Sequence, residues 1–148
     1  MLAAPGTGET MDAKRFLRQY EEADRKARKY KQEYEFEQEK IDSVRSTFNT
    51  DGTPRGSGIS RRVEDQAIRL ADKAMKWKIA ELDAIRIRQE VFEVVMKIPD
   101  IEGEILFERY INLRIWEAVC LEVHASWYTV HSHHKKALAM VNELINQT

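Results

Sequence analysis

The chemistry-bearing side chains of this chain crowd toward one end. All four histidines, His124, His131, His133 and His134, lie close to the single cysteine, Cys120. Cys120 and His124 stand one helical turn apart, and so do His131 and His134, a spacing at which two ligands on a helix can share a metal. A closed site needs a further compact ligand pair, and there is none, so neither a metal nor another cofactor is expected. The same stretch carries groups suited to different work. Thr129 and Ser132 can donate and accept hydrogen bonds at base edges. Trp127 and Tyr128 offer apolar contact to thymine methyls with one polar handle each, and His131 adds a ring nitrogen. Arg114, Lys135 and Lys136 can reach phosphates, helped by the free N–H groups of a helix start at Ser126. His133 is expected to be a half-buried core residue; were it buried and neutral, its folded pKa would be depressed and stability would fall as the pH drops. The Glu-rich run Tyr34–Lys40 reads as a solvated face. With no glycine-rich phosphate loop, nucleophile elbow or metal-ligand framework, no enzyme is expected.

The elements that must hold these groups follow from spacing. Trp116 to Leu138 reads as a short helix, a tight turn and a second helix. Val119 and Val123 share a face of the first; Val130 and Leu138 belong to the next, beyond the break at His124-Ala125-Ser126. Ser126 is a good N-cap, since its side-chain oxygen can accept from the N–H groups one turn on. Two short helices joined this way form a helix-turn-helix, whose second helix can enter a DNA major groove. That helix continues through Met140, Val141 and Leu144. Upstream, Ile101 to Asn112 forms another short helix with Ile105, Leu106 and Tyr110 turned inward, and Asn112-Leu113-Arg114 makes the connecting turn.

The preceding part is built differently. Residues 1–11 read as a disordered tail. From Asp12, Phe16, Tyr20, Ala23, Ala27, Tyr30, Tyr34, Ile41 and Val44 follow a heptad seam in which Glu37 is the one polar member. A breaker-rich loop at 48–59 follows, and Ser60 can cap a second long helix that stops at Pro99. Its apolar residues, among them Val63, Leu70, Trp77, Ile79, Leu82, Ile85 and Val91, spread widely enough to cover two neighbours: the first helix, and either the C-terminal segment or another protomer. The expected fold is therefore all-α. A long antiparallel helical hairpin over 12–98 serves oligomerisation or interaction, and a helix-turn-helix unit follows over 100–148.

Composition bounds the partners. A third of the 148 residues are charged, and the formal net charge is -1. From Ile101 onward four basic side chains face six acidic ones. Phosphate neutralisation supplies most non-specific DNA affinity, so useful binding calls for a dimer or a DNA-bound partner. No apolar run approaches a membrane span. The opening MLAAPGTGET lacks the marks of a signal peptide, and a lone cysteine suits a reducing compartment. The expectation is a soluble protein of the host cytoplasm or nucleoid.

The run ERYINLRIWEAVCLEVHASWYTVHSHHKKAL resembles the sigma-factor region 4-like helix-turn-helix of phage and prophage transcriptional regulators of the RinA and ArpU type. The residues that carry the resemblance are Arg109-Tyr110, Trp116-Glu117, Ser126, His134 and Ala137-Leu138. The charged upstream helices and the loop PRGSG are similar too, so the likeness covers most of the chain. It implies a DNA-binding regulator, an activator of phage genes, working on double-stranded DNA with host RNA polymerase as a further partner. The chain departs from that pattern at the turn, where His124 replaces a usual Gly. It also carries Cys120 for Ala, His133 for an apolar residue, and Trp127 and Tyr128 for early arginines. A left-handed His124 would cost on the order of 1 kcal/mol relative to Gly. Two rival readings are a small-terminase-like packaging protein and a protein-interaction module whose helix-turn-helix binds no DNA.

Overall fold

The computed structural model describes residues 12–51 and 57–147. Every regular element among them is helical: α1 (Ala13–Asp51), α2 (Ser57–Val95), α3 (Asp100–Leu106), a π-helical turn (Phe107–Ile111), α4 (Trp116–Val123) and α5 (Trp127–Ile145). The tail expected at 1–11 lies outside the described residues. No described helix is long and apolar enough to cross a membrane.

Asp12 starts α1, its carboxylate accepting from the Arg15 N–H at 2.7 Å. The far end of α1 departs from expectation. The helix persists to Asp51 and α2 already begins at Ser57, so Ser60 sits inside the first turn of α2 rather than capping it. Asn49, Thr50 and Asp51 each disfavour a helix by less than about 1 kcal/mol, which continued backbone hydrogen bonding can outweigh. The stronger breakers Gly52, Pro54 and Gly56 fall outside the described residues.

The chain divides into two compact units: Ala23–Ala84, and the residues up to Glu22 together with those from Ile85 onward. Within the first unit, α1 and α2 meet through opposed pairs. Glu33 Oε2 lies 3.6 Å from Lys73 Nζ, and Glu37 Oε1 lies 3.9 Å from Arg69 Nε. The Tyr34 and Trp77 rings sit 5.3 Å apart. Positions rise on one helix as they fall on the other, so the two segments run antiparallel. Ala27, Ala80 and Ala84 are buried. So is Glu37, the polar member of the seam, with Lys40 Nζ 3.9 Å from its other oxygen. Ile68, Met75, Ile79 and Leu82 remain 54–67% exposed.

The second unit holds the larger core. Ala13 and Leu17 of α1, Val91 and Val95 of α2, Ile98, Leu106, Tyr110 and Ile111, and Ala137 and Val141 of α5 are buried together. Ala13 and Leu17 are not in the heptad seam read from the sequence; its members Phe16 and Tyr20 pack half-buried against this same core. The Ala13 N–H donates to Asn142 Oδ1 at 2.8 Å, tying the start of α1 to α5. A smaller cluster of Ile105, Val119 and Val130 joins α3, α4 and α5.

Helix α2 ends at Val95, short of Ile98. The chain tightens there through bonds from Lys97 N–H to the Val94 carbonyl and from Ile98 N–H to the Val95 carbonyl, each 3.0 Å. After Pro99, Asp100 takes a left-handed φ of 61°. Gly103 is required next. A Cβ at that position would stand 2.0 Å from the Ile98 carbonyl oxygen. The helix expected as one piece over 101–112 changes pitch at Phe107, where five residues form a π turn closed by Asn112 N–H to the Phe107 carbonyl at 3.0 Å. One extra residue in the turn rotates the later side chains about the helix axis. Tyr110 and Ile111 both end up buried there.

Candidate nucleic-acid interface

The turn ahead of α4 is held by local polar contacts. Leu113 takes a φ of 55°. Arg114 Nε sits 2.7 Å from Glu108 Oε2, the Arg114 N–H donates to the Glu108 carbonyl, and Asn112 Nδ2 donates to Glu108 Oε1 at 3.0 Å. Arg109 Nη1 donates to the Arg114 carbonyl at 2.8 Å, and the Arg109 guanidinium lies over the Trp116 ring at 5.0 Å. Arg114 is thus ion-paired but partly open to solvent.

Helix α4 ends on His124, which is left-handed with φ 55° and ψ 47°. Its N–H and that of Ala125 close the helix end on the Leu121 and Cys120 carbonyls. Ser126 then caps α5: its Oγ accepts from the Thr129 N–H at 3.2 Å and donates to Thr129 Oγ1 at 2.9 Å. Ser126 is therefore occupied in starting the helix.

The phase of α5 is set by Val130, His134, Ala137 and Val141, all buried. At 100° per residue the opposite face carries Tyr128, Ser132 and Lys135 in a row, with Lys136 alongside. Tyr128 is 84% exposed, and Ser132, Lys135 and Lys136 are exposed with it. Among the described residues neither lysine has an ion-pair partner, and no acidic residue occurs in α5 before Glu143. Thr129, bonded to Ser126, is half-buried at the edge of this face.

Trp127 and His131 lie on the flank. Trp127 is 53% exposed, and its ring is 4.3 Å from that of His131. The His131 ring is also 4.5 Å from Trp116, so the imidazole is half-buried between two indoles. The structure thus brings Tyr128, Ser132, Lys135 and Lys136 together on one outward face. It places Trp127 at its border, His131 in the aromatic cluster and Arg114 in the turn before α4.

His133 is half-buried, as expected, with Nδ1 3.5 Å from Glu102 Oε2. The buried histidine is His134. His134 Nε2 lies 2.8 Å from the Tyr110 hydroxyl, and its ring packs edge-on against Trp116 at 4.7 Å. Burial lowers the His134 pKa to about 4, and the nearby His131, Lys14 and Arg109 push the same way. In the tautomer with the proton on Nδ1, Nε2 of the neutral ring accepts a hydrogen bond from the Tyr110 hydroxyl. Burial also raises the Tyr110 pKa, against the opposing pull of Arg109. Sequence reading missed this bond, because 24 positions separate the partners. The spacing Val130, Ala137 and Val141 nevertheless carried the signal, since it puts His134 on the inner row.

Two further features bear on chemistry. No three of His, Cys, Asp and Glu gather as a metal-binding group among the described residues. A cavity of about 680 Å3 is lined by Phe92, Val95, Met96, Ile98, Phe107 and Val123, with Asp100, Glu104, Glu108 and Glu122 also bordering it. Four carboxylates make that cavity unsuited to a phosphate backbone.

Comparison with family models, with curated proteins and with solved structures finds no match for this chain.

Proposed function

We propose that α4, the turn through His124–Ser126 and α5 form a helix-turn-helix that binds double-stranded DNA. On this reading α1 and α2 supply a helical hairpin for assembly, and the protein is a transcriptional regulator of the phage or prophage type, acting as an activator with host RNA polymerase. The observation that carries the proposal is the outward face of α5. A large aromatic, Tyr128, projects near the helix start, and Ser132, Lys135 and Lys136 come after it with no acid among them. The early part of a recognition helix is the part that reaches base edges, and lysines further along meet phosphates. Thr129 and Trp127 flank the same end, and Arg114 is a phosphate contact if it exchanges Glu108 for the backbone of the duplex. Ser126 contributes through the cap, and His131 by fixing Trp127.

The resemblance to RinA- and ArpU-type regulators supports the same reading, since Arg109, Tyr110, Trp116 and His134 gather into one cluster behind α5. Selection of bound fragments from phage genomic DNA tests it, because it measures retention and reveals the site together. Loss of retention in the Lys135→Ala, Lys136→Ala double variant is the expected companion result; undiminished retention would remove α5 as the contact surface.

A second reading, a protein-interaction module that binds no DNA, is favoured by the acid-bordered apolar cavity beside Phe92 and Phe107. It predicts no retention of random-sequence duplexes even at low salt.

A further inference from the structure

Helix α2 is apolar on two opposite faces within the unit Ala23–Ala84. Trp77, Ala80 and Ala84 lie on the side that packs toward α1, with Lys73 reaching Glu33. Ile68, Ala71, Met75, Ile79 and Leu82 follow steps of three and four on the other side, within about 80° of arc at 100° per residue. The four large members are 54–67% exposed. Together they present on the order of 500 Å2 of apolar surface, the size of the largest patch on a typical monomer, which is often functional.

We propose that this stripe is the interface for a second copy of the chain, packed antiparallel about a two-fold axis at Met75. The spacing is symmetric about that residue. With Met75 of both copies at the centre, Ile68 of one lies level with Leu82 of the other, and Ala71 with Ile79, so small side chains face large ones. The charged border is self-complementary. Asp72 and Lys76, already 3.5 Å apart and well exposed, flank the stripe on one side. The two-fold sets Asp72 beside Lys76 of the second copy. A parallel pair would instead turn that border toward Ala71 and Lys78, bringing Lys76 near a second lysine. Two copies together withdraw roughly 1,000 Å2 of apolar surface, the threshold for a specific interface. The inference supplies the dimer that the DNA-binding reading calls for, yet it stands on the helix face alone, so the two can fail separately.

The test uses the full chain. Sedimentation equilibrium at tens of micromolar should give twice the 17.3 kDa chain mass. Met75→Glu places two carboxylates at the axis and should raise the dimer dissociation constant by at least about 100-fold, with helical circular dichroism retained. In a Cys120→Ala background, mixed Ile68→Cys and Leu82→Cys chains should form a disulfide-linked pair under mild oxidation, while neither variant alone does so. The cross-link decides the matter should Met75→Glu fail to fold. A wild-type chain at monomer mass overturns the proposal. So does a dimer that Met75→Glu leaves intact and that does not link 68 to 82, since it uses another surface. Duplex binding by a monomeric wild type would sink this interface while leaving the DNA reading in place.

Discussion

Lowering the pH should loosen the unit that carries α5, and His134 sets the amount. Its ring is enclosed by Tyr110 and Trp116, and its pKa falls from 6.5 to about 4. Because the folded value lies below the unfolded one, the unfolded chain takes up the proton first. The stability held above about pH 6.5 is lost as the pH falls toward 4. For a fully shielded ring the loss between pH 7 and pH 5 is about 2 kcal/mol, and residual solvent access at its edge lowers that to about 1–2 kcal/mol. Urea unfolding followed by tryptophan fluorescence reports the change, since Trp116 lies 4.7 Å from the ring. Other groups titrate over the same range, so the comparison is with Tyr110→Phe, His134→Leu, which removes donor and acceptor together and leaves neither unsatisfied. The double variant should lose about 1–2 kcal/mol less than wild type over that interval. Equal losses in the two proteins would refute the reasoning.

Three other outcomes rest on the same geometry. Lys135→Ala with Lys136→Ala should abolish retention on target DNA at moderate salt and lower the slope of log affinity against log salt by about 2; an unchanged slope would show that neither lysine meets a phosphate. His124→Gly should stabilise the protein by up to about 1 kcal/mol, because the left-handed turn suits glycine, less what the freer unfolded chain takes back. A urea midpoint that falls instead would mean that the His124 side chain makes a contact worth more than the strain. Gly103→Ala should cost at least about 2 kcal/mol, since the Ile98 carbonyl occupies the space of a Cβ; a neutral result would show that the link from α2 to α3 can take another path.

Much of the architecture was readable from side-chain spacing. The two long helices, the break at His124–Ser126 and the Ser126 cap all rest on local rules that act within one helical turn. What escaped reading depends on tertiary context or on angular phase. The extent of α1 past Asn49 turned on a balance of small propensities. The π turn at Phe107–Ile111 has no marker in residue type, and the closeness of Gly103 to Ile98 shows only once the chain reverses. The burial of His134 follows from angular phase, which Val130, Ala137 and Val141 carry. On the candidate face, exposure separated Tyr128 from Trp127 and His131, three neighbours that look alike as a string of letters.

Glu37 has a consequence for how α1 and α2 find each other. A purely greasy contact between two long rods tolerates sliding, because one hydrocarbon step is much like the next. A carboxylate sunk among them resists it: its cation on the opposite rod is Arg69, Lys73 one turn on is held by Glu33, and the buried positions Ala80 and Ala84 further along offer none. Alignments displaced that way would strand the anion in oil. Glu37 and Glu33 therefore act together as an alignment key.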